Sequence, residues 1–281
     1  MGCGASNTSA VSLVELKTEA KVEGAGAQEV STQVHYFNEF RETLPGNMVT
    51  DIDLSRYTIR ALEKKHDGSD KFNAADLAKA LLGNSSLKTL NLSANNIGKD
   101  EPAFDQLLNA VATLGLKKLT LTGNPLGEDG IRQLFAISSS VPAFLKTAET
   151  LQFPRCSLND AAVKMITDAI SKAPDTLPLS VLDLSGNEIS DEGVIALASV
   201  LGKVPKLHKL LLSFNTSLSD AGLAAITKAA AAHEILSEIS TMGIAASEDA
   251  QKALSETLKT NLTKHPPRPA SSMRPSLPSS K

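Results

Sequence analysis

The sequence predicts an α/β solenoid, an arc with parallel strands on its concave face and helices on its convex face. Two observations predict it. A short motif, L-x-x-L-x-L-x-x-N-x-L, recurs along the chain, and patterns typical of helices fill the intervals between its copies. The hydrophobic residues are mostly aliphatic, since the 281 residues include no Trp, two Tyr and eight Phe. This composition suits a core built from thin, repeated layers.

The motif occurs six times, at intervals of about 30 residues. The copies run from Val49 to Ile59, Leu87 to Ile97, Leu116 to Leu126, Ala148 to Leu158, Leu179 to Ile189, and from Leu207 onward. The first and fourth copies depart at one or two positions, and Phe153 and Pro154 predict a local bulge in the fourth. A degenerate strand near residues 236–239 extends the prediction to six to seven repeats.

Units of about 28 to 29 residues with a full helix in the second half resemble the ribonuclease-inhibitor-like class of leucine-rich repeats. The resemblance covers residues 46–264 and implies a horseshoe arc closed by a C-terminal cap helix. The position that this pattern gives to Asn or Cys holds Asn95, Asn124, Cys156, Asn187 and Asn215. We predict that these residues form a structural ladder that satisfies buried backbone groups, which argues against a redox role for Cys156.

Four segments are predicted from composition and periodicity. Residues 1–27 form a flexible arm rich in small and polar residues. Residues 28–45 form an N-terminal cap helix, because apolar residues recur there at helical intervals, although a flexible arm is the alternative. Residues 46–264 form the repeat domain. Residues 265–281 are a Pro/Ser-rich disordered tail, whose P-x-x-P matches fit either a docking motif or an inert linker.

The first six residues, MGCGAS, fit the pattern for N-myristoylation of Gly2 after removal of Met1. One myristoyl chain binds membranes only marginally, and palmitoylation of Cys3 would supply a second anchor. The segment resembles the Met-Gly-Cys heads of dually acylated signalling proteins and protozoan surface-associated proteins. This resemblance implies the cytoplasmic face of a plasma or flagellar membrane; a chance match of a short motif would leave the protein cytosolic.

Composition argues against several other classes of function. With 28 Lys plus Arg against 31 Asp plus Glu, the net charge of −3 gives no general attraction to nucleic acid. The two cysteines are far apart, which argues against a disulfide framework. The five histidines are scattered, and no phosphate-binding loop or paired acid and base is evident. We therefore expect no metal, no cofactor, no small-molecule substrate and no enzymatic activity.

The concave face is the predicted site for a protein partner, because stacked strands present a rigid, extended surface. The cluster of Lys88, Lys117 and Lys118 would suit an acidic groove on that partner, and a merely solvated face is the alternative. The candidate binding residues are Asp51, Asp53, Lys88, Asn91, Lys117, Lys118, Thr120, Glu149, Gln152, Asp183, His208 and Lys209.

These patterns together predict a membrane-tethered scaffold that recruits a protein on its concave face. Two alternatives share the repeat type. The GTPase-activating proteins of Ran resemble this chain in their repeats, but this solenoid is shorter and has no long acidic C-terminal run. Actin-binding caps of the tropomodulin type are the other alternative, although no actin-binding helix is evident ahead of the repeats.

Overall fold

The computed structural model describes residues 17–19, 31–33, 49–56, 59, 73–98, 102–135 and 141–264. Its main feature is a seven-stranded parallel sheet in which each strand lies beside the next in the chain. The strands are β3 (Asp51–Asp53), β4 (Thr89–Asn91), β5 (Lys118–Thr120), β6 (Thr150–Gln152), β7 (Val181–Asp183), β8 (Lys209–Leu211) and β9 (Glu238–Ser240). The predicted α/β solenoid is therefore confirmed.

Helices connect successive strands of this sheet across the convex side. They are α1 (Ala74–Leu81), α2 (Pro102–Ala112), α3 (Gly127–Phe135), α4 (Ala143–Thr147), α5 (Asp160–Lys172), α6 (Asp191–Val200), α7 (Asp220–Ala232) and α8 (Glu248–Lys264). A 3₁₀ turn, Leu201–Lys203, follows α6. Two of these helices, α3 and the short α4, lie between β5 and β6, which accounts for the longer third repeat unit.

The core consists of aliphatic layers, one for each repeat. The central residues of the strands form a single buried row, because side chains alternate between the two faces of a strand. In register, this row reads Ile52, Leu90, Leu119, Leu151, Leu182, Leu210 and Ile239. Leu and Ile recur at positions 2 apart within each strand motif, so the sequence pattern places the same side-chain type in every layer.

The predicted bulge at Phe153 and Pro154 is wrong. Strand β6 pairs in unbroken register with both neighbours, and Phe153 is fully buried. Its ring takes the place that Leu holds in other repeats and packs edge-on against Phe135, with 6.1 Å between the ring centroids. Phe135 meets Phe144 at 5.3 Å, so the inserted α4 provides the room that a larger side chain needs.

The N-terminal region departs from prediction where it is described. Within the predicted cap helix, residues 28–45, the structure describes Ser31–Gln33, and they form a strand, β2. This strand pairs antiparallel with β1 (Lys17–Glu19), which lies inside the predicted flexible arm. Val30, Thr32 and Val34 alternate along the sequence, and β-branched residues with a period of two favour a strand. The rest of both segments, and the predicted tail, lie outside the described residues.

The last helix, α8, closes the C-terminal end of the core, at the place that the sequence predicts. It buries Leu254 and Leu258. The side-chain amide of Asn261 donates to the carbonyls of Ala230, His233 and Leu236, at 2.9, 3.2 and 2.9 Å. These bonds tie the last helix to the end of α7 and to the segment that leads into β9.

Candidate functional site

A ladder of Asn side chains fixes the turns after β4, β5, β7 and β8 and so helps to set the shape of the concave face. The side-chain amide of Asn124 donates to the carbonyls of Leu92 and Leu121, at 2.9 and 2.8 Å. Its Oδ1 accepts the N–H groups of Asn95 and Ile97, at 2.9 and 3.1 Å. One side chain therefore joins two repeats through four hydrogen bonds. Asn95, Asn187 and Asn215 make equivalent bonds.

Cys156 takes the Asn position in its repeat. Its Sγ donates to the carbonyl of Leu121 at 3.1 Å, and its N–H donates to Oδ1 of Asn187 at 2.8 Å. Burial raises the pKa of the Cys156 thiol to about 12. Because the thiolate is the reactive form of cysteine, this residue holds the turn and is not positioned as a nucleophile.

Two rows of outward-facing side chains cover the concave face. The first reads Asp51, Thr89, Lys118, Thr150, Val181, Lys209 and Glu238, and the second reads Asp53, Asn91, Thr120, Gln152, Asp183, Leu211 and Ser240. The other predicted binding residues each directly precede a strand core: Lys88, Lys117, Glu149 and His208. The structure thus places the predicted set along one surface.

Several of the predicted binding residues serve the turns instead of facing solvent freely. Oδ1 of Asp183 accepts the N–H of Ser185 at 3.0 Å, and Asp183 is buried, with 9% exposure. Oδ1 of Asn91 accepts the N–H of Ser93 in the same way, at 3.0 Å. Asp183 was predicted as a surface contact, but a carboxylate folded back on its own turn has little area to offer a partner.

The predicted basic cluster is partly neutralised by acidic neighbours. Lys117 forms an ion pair with Glu149 at 3.5 Å, and Lys209 forms one with Glu238 at 2.8 Å. Lys118 is exposed and has no ion pair among the described residues. The concave face therefore carries paired charges along its rim rather than one block of positive charge.

The structure also reveals a surface that the predicted site did not include. Phe214 and Met242 are 54% and 69% exposed, and they lie on adjacent turns, joined by the bond from the Phe214 N–H to the Met242 carbonyl at 2.6 Å. Beside them, Leu211 takes a place in the second row that most repeats fill with a polar residue. We name Leu211, Phe214 and Met242 the C-terminal apolar patch.

Phe214 is held in an unusual backbone conformation, with φ of 61°. A bulky residue with positive φ is rare, and such strain costs on the order of 1–3 kcal/mol. The same turn position has positive φ in the other described repeats, where it is Arg56, Ala94, Gly123, Arg155, Gly186 and Gly243. The Phe214 ring covers Gly243, where a Cβ atom would lie 2.7 Å from Cδ1 of the ring. An aromatic residue at a position that is Arg, Ala or Gly in the other repeats was a sequence signal for this patch.

The described residues hold no group of His, Cys, Asp and Glu arranged to bind a metal ion. His233, which is buried, is satisfied by the fold: its Nδ1 accepts the N–H of Leu236 at 3.1 Å, and its Nε2 lies 3.0 Å from the carbonyl of Val204. A separate search of the same part of the chain finds no helix with the length and apolar character of a transmembrane span.

Comparison with known proteins agrees with this fold. A family model described as a leucine-rich repeat matches residues 83–100 and 178–198. The chain is 28% identical over 193 residues to "NACHT, LRR and PYD domains-containing protein 5" of Bos taurus, a match that covers 57% of this chain and 17% of that protein. It is 27% identical over 147 residues to the ribonuclease inhibitor of Sus scrofa, covering 52% and 31%. The chain thus spans a third or less of these relatives.

Two solved structures are similar to the chain at low sequence identity. The C-terminal domain of tropomodulin from Caenorhabditis elegans is 15% identical, with a TM-score of 0.43. The alignment covers 69% of this chain and 95% of that domain. Actin-binding site 2 of leiomodin-1 is 13% identical, with a TM-score of 0.37, and the alignment covers 81% of this chain and 90% of that one. With its recurring motif, seven parallel strands and Asn ladder, the chain folds as an α/β solenoid of leucine-rich repeats.

Proposed function

We propose that the protein is a non-enzymatic, membrane-tethered scaffold that binds a protein partner on its concave face. The single observation that carries partner binding is the C-terminal apolar patch, an exposed Phe beside an exposed Met at the end of a polar surface. Acyl chains on Gly2 and Cys3, which lie outside the described residues, would hold the solenoid at the cytoplasmic face of a membrane.

The patch has the composition of a binding hot spot. Aromatic residues and Met are enriched at the centres of protein interfaces, where they are surrounded by polar side chains that exclude water. Beside this patch, Ser240 on the neighbouring strand and Lys209 on the same strand as Leu211 supply part of such a polar rim. The positive φ belongs to this turn in every described repeat, so the feature that stability does not explain is the exposed aromatic ring, which a partner would cover.

A protein partner also agrees with the similar proteins. The ribonuclease inhibitor of Sus scrofa acts, as its name says, on another protein, and the chain covers 31% of its length. That relationship supports the class of ligand and leaves the identity of the partner to experiment. GTPase activation and actin capping are alternatives predicted from the type of repeat. A GTP turnover assay would check the first, and co-sedimentation with actin filaments would check the second.

Partner binding is tested by capture from native cells, with quantification of the captured proteins by mass spectrometry. The test variant is Phe214→Ser with Met242→Ser. The matched control is Leu82→Ser with Ile195→Ser. These hydrophobic residues are 60% and 49% exposed, and they lie directly after α1 and within α6. We expect the control to capture the same proteins as the wild type and the test variant to lose them. If both variants capture the same proteins in equal amounts, the patch is not the binding site.

The tether is tested separately by the intact mass of the protein from native cells and by membrane fractionation. We expect a mass increase for one or two acyl chains, loss of membrane partitioning in Gly2→Ala, and weaker partitioning in Cys3→Ser. A wild-type protein that is unmodified and fully soluble would refute the tether and leave the concave-face proposal standing.

A further inference from the structure

We propose that one side of the solenoid docks on an anionic lipid surface. This side is formed by the junctions at which each helix ends and the next strand begins, and we name it the lysine edge. The inference rests on the proposed membrane location and adds a second membrane contact, made by the folded domain itself. It is carried by the placement of lysines that are far apart in the sequence.

One lysine without an ion pair lies in each of five successive helix-to-strand junctions. They are Lys88 before β4, Lys118 at the start of β5, Lys146 in α4 before β6, Lys172 at the end of α5 before β7, and Lys206 before β8. Lys88 is half-buried and the other four are exposed. None has a carboxylate within ion-pair distance among the described residues. Consecutive repeats therefore each contribute one positive charge to the same edge.

The remaining charges of the lysine edge largely cancel. Lys117, Lys203 and Lys209 are each paired with a carboxylate on the same edge, respectively Glu149, Asp175 and Glu238. Glu234, before β9, is offset by Lys264 at the end of α8. Asp51 at the start of β3 and Asp168, one turn before Lys172, also have no ion pair among the described residues. The five unpaired lysines outnumber them and give the edge a net positive charge.

The opposite edge, where strands end and helices begin, carries the opposite sign. Arg56 and Arg155 lie on turns there, but they are outnumbered by exposed carboxylates that have no ion pair among the described residues. These carboxylates are Glu188, Glu192, Glu248 and Asp249. A solenoid with one basic and one acidic edge would turn the basic edge toward an anionic surface and the acidic edge away from it.

Helix dipoles explain part of this arrangement, since lysines are favoured in the last turn of a helix. They explain Lys146 and Lys172, but Lys88, Lys118 and Lys206 lie outside the helices. Neighbouring strands lie about 4.8 Å apart and packed helices about 8–10 Å apart, so lysines in successive repeats are separated by about one Debye length, which is about 8 Å at physiological salt. Their positive potentials therefore overlap at a charged surface.

Docking by this edge has a consequence for the proposed scaffold. Each lysine near an anionic leaflet raises membrane partitioning about fivefold, whereas one myristoyl chain alone binds only marginally. The lysine edge would therefore strengthen a single-acyl tether. It would also stand the solenoid on this edge, which takes Lys118 out of the concave face but leaves the second row of that face and the C-terminal apolar patch open to a partner.

The test uses the full chain without acyl groups, so that it does not depend on the tether. Co-sedimentation is measured with vesicles of phosphatidylcholine alone and with vesicles that also contain phosphatidylserine. The test variant replaces Lys88, Lys118, Lys146, Lys172 and Lys206 with Gln. The control replaces five exposed lysines within helices, namely Lys79, Lys164, Lys228, Lys252 and Lys259, and so has the same net charge. Circular dichroism and thermal unfolding verify that both variants fold.

We expect the wild type to bind the vesicles that contain phosphatidylserine, more weakly as salt rises, and to ignore phosphatidylcholine alone. The test variant should lose roughly tenfold or more in partitioning, and the control should keep most of it. Three outcomes would overturn the proposal: no binding by the wild type, equal loss in both variants, or binding of soluble polyglutamate in place of vesicles. Failure of acylation in cells would not alter any of these results.

Discussion

The carboxylate of Asp191 in one repeat caps the helix of the next repeat through Ser219. Its Oδ1 accepts the Ser219 N–H at 2.8 Å and the Gly222 N–H at 2.9 Å, and its Oδ2 accepts the Ser219 hydroxyl at 2.6 Å. Asp160 makes the same three bonds to Ser190 and Gly193, one repeat earlier. A Cβ atom at Gly222 would lie 2.6 Å from Oδ1 of Asp191, so glycine makes this approach possible.

Substitution of Asp191 by Ala should destabilise the repeat domain. The change removes three hydrogen bonds, which satisfy the N–H and hydroxyl of the N-cap residue Ser219 and the N–H of Gly222 in the first turn of α7. We expect a loss of about 1–3 kcal/mol in the free energy of unfolding. Urea unfolding followed by circular dichroism measures this loss. Glu192→Ala, at the exposed neighbouring position in the same helix, is the control and should change stability little. Equal effects would show that the contact between repeats adds nothing.

The same contact should make stability depend on pH. Burial acts to raise the pKa of Asp191, but hydrogen bonds from the hydroxyl and N–H of Ser219 and from the N–H of Gly222 outweigh it and lower the pKa below its ordinary value. A lowered folded-state pKa contributes stability that is fully present above the unfolded pKa of about 4 and is lost as pH falls toward the folded value. The stability difference between wild type and Asp191→Asn should therefore narrow below about pH 4. A difference that is constant or widens there would contradict this sign.

Asn124→Ala should be more damaging than any surface change. It leaves the buried N–H groups of Asn95 and Ile97 without their acceptor and removes one of the donors to the carbonyls of Leu92 and Leu121. We expect a loss of about 3 kcal/mol in the free energy of unfolding. Asn124→Cys should lose less, because a thiol keeps a donor, as Cys156 does toward Leu121. Thr216→Ala, exposed in a turn of the same type, is the control. Urea unfolding gives the loss of stability in each of the three variants. A loss in Asn124→Ala as small as that in Thr216→Ala would refute the ladder as a main source of stability.

Cys156 should be inert while the protein is folded. Its thiol is fully buried with a pKa raised to about 12, so little thiolate exists at neutral pH. In a Cys3→Ser background, we expect a chromogenic disulfide reagent to react with Cys156 only as fast as the protein opens, and reactivity to rise in step with unfolding by urea. Rapid reaction in native buffer would contradict the burial of this thiol.

The repeated features of the fold were predictable because the same physical demand recurs in every unit. Leu at fixed spacing predicted the buried row, and residues such as Asn187 predicted turns that need both a donor and an acceptor. The helix starts at Ser190 and Ser219 were also readable, since Ser is a common N-cap.

Features that depend on a single repeat, or on contacts between repeats, were not predictable in this way. The room for Phe153 comes from Phe135 and the inserted α4, which the motif does not encode. The hydrogen bond that Ser219 donates to Asp191 joins residues 28 apart in the sequence. The lysine edge arises because the fold aligns junctions that the linear sequence separates, and the burial of Asp183 follows from the turn that it stabilises.

Hydrogen exchange on the solenoid, with and without the partner that the wild type captures, tests the central claim most directly. The account predicts that partner binding slows exchange at residues 211–214 and 240–243, in the turns that carry Leu211, Phe214 and Met242, and along adjoining concave strands. Exchange in the exposed faces of α6 and α7 should not change. Protection confined to those helices, with the patch unaffected, would contradict the claim that the concave face and its apolar patch bind the partner.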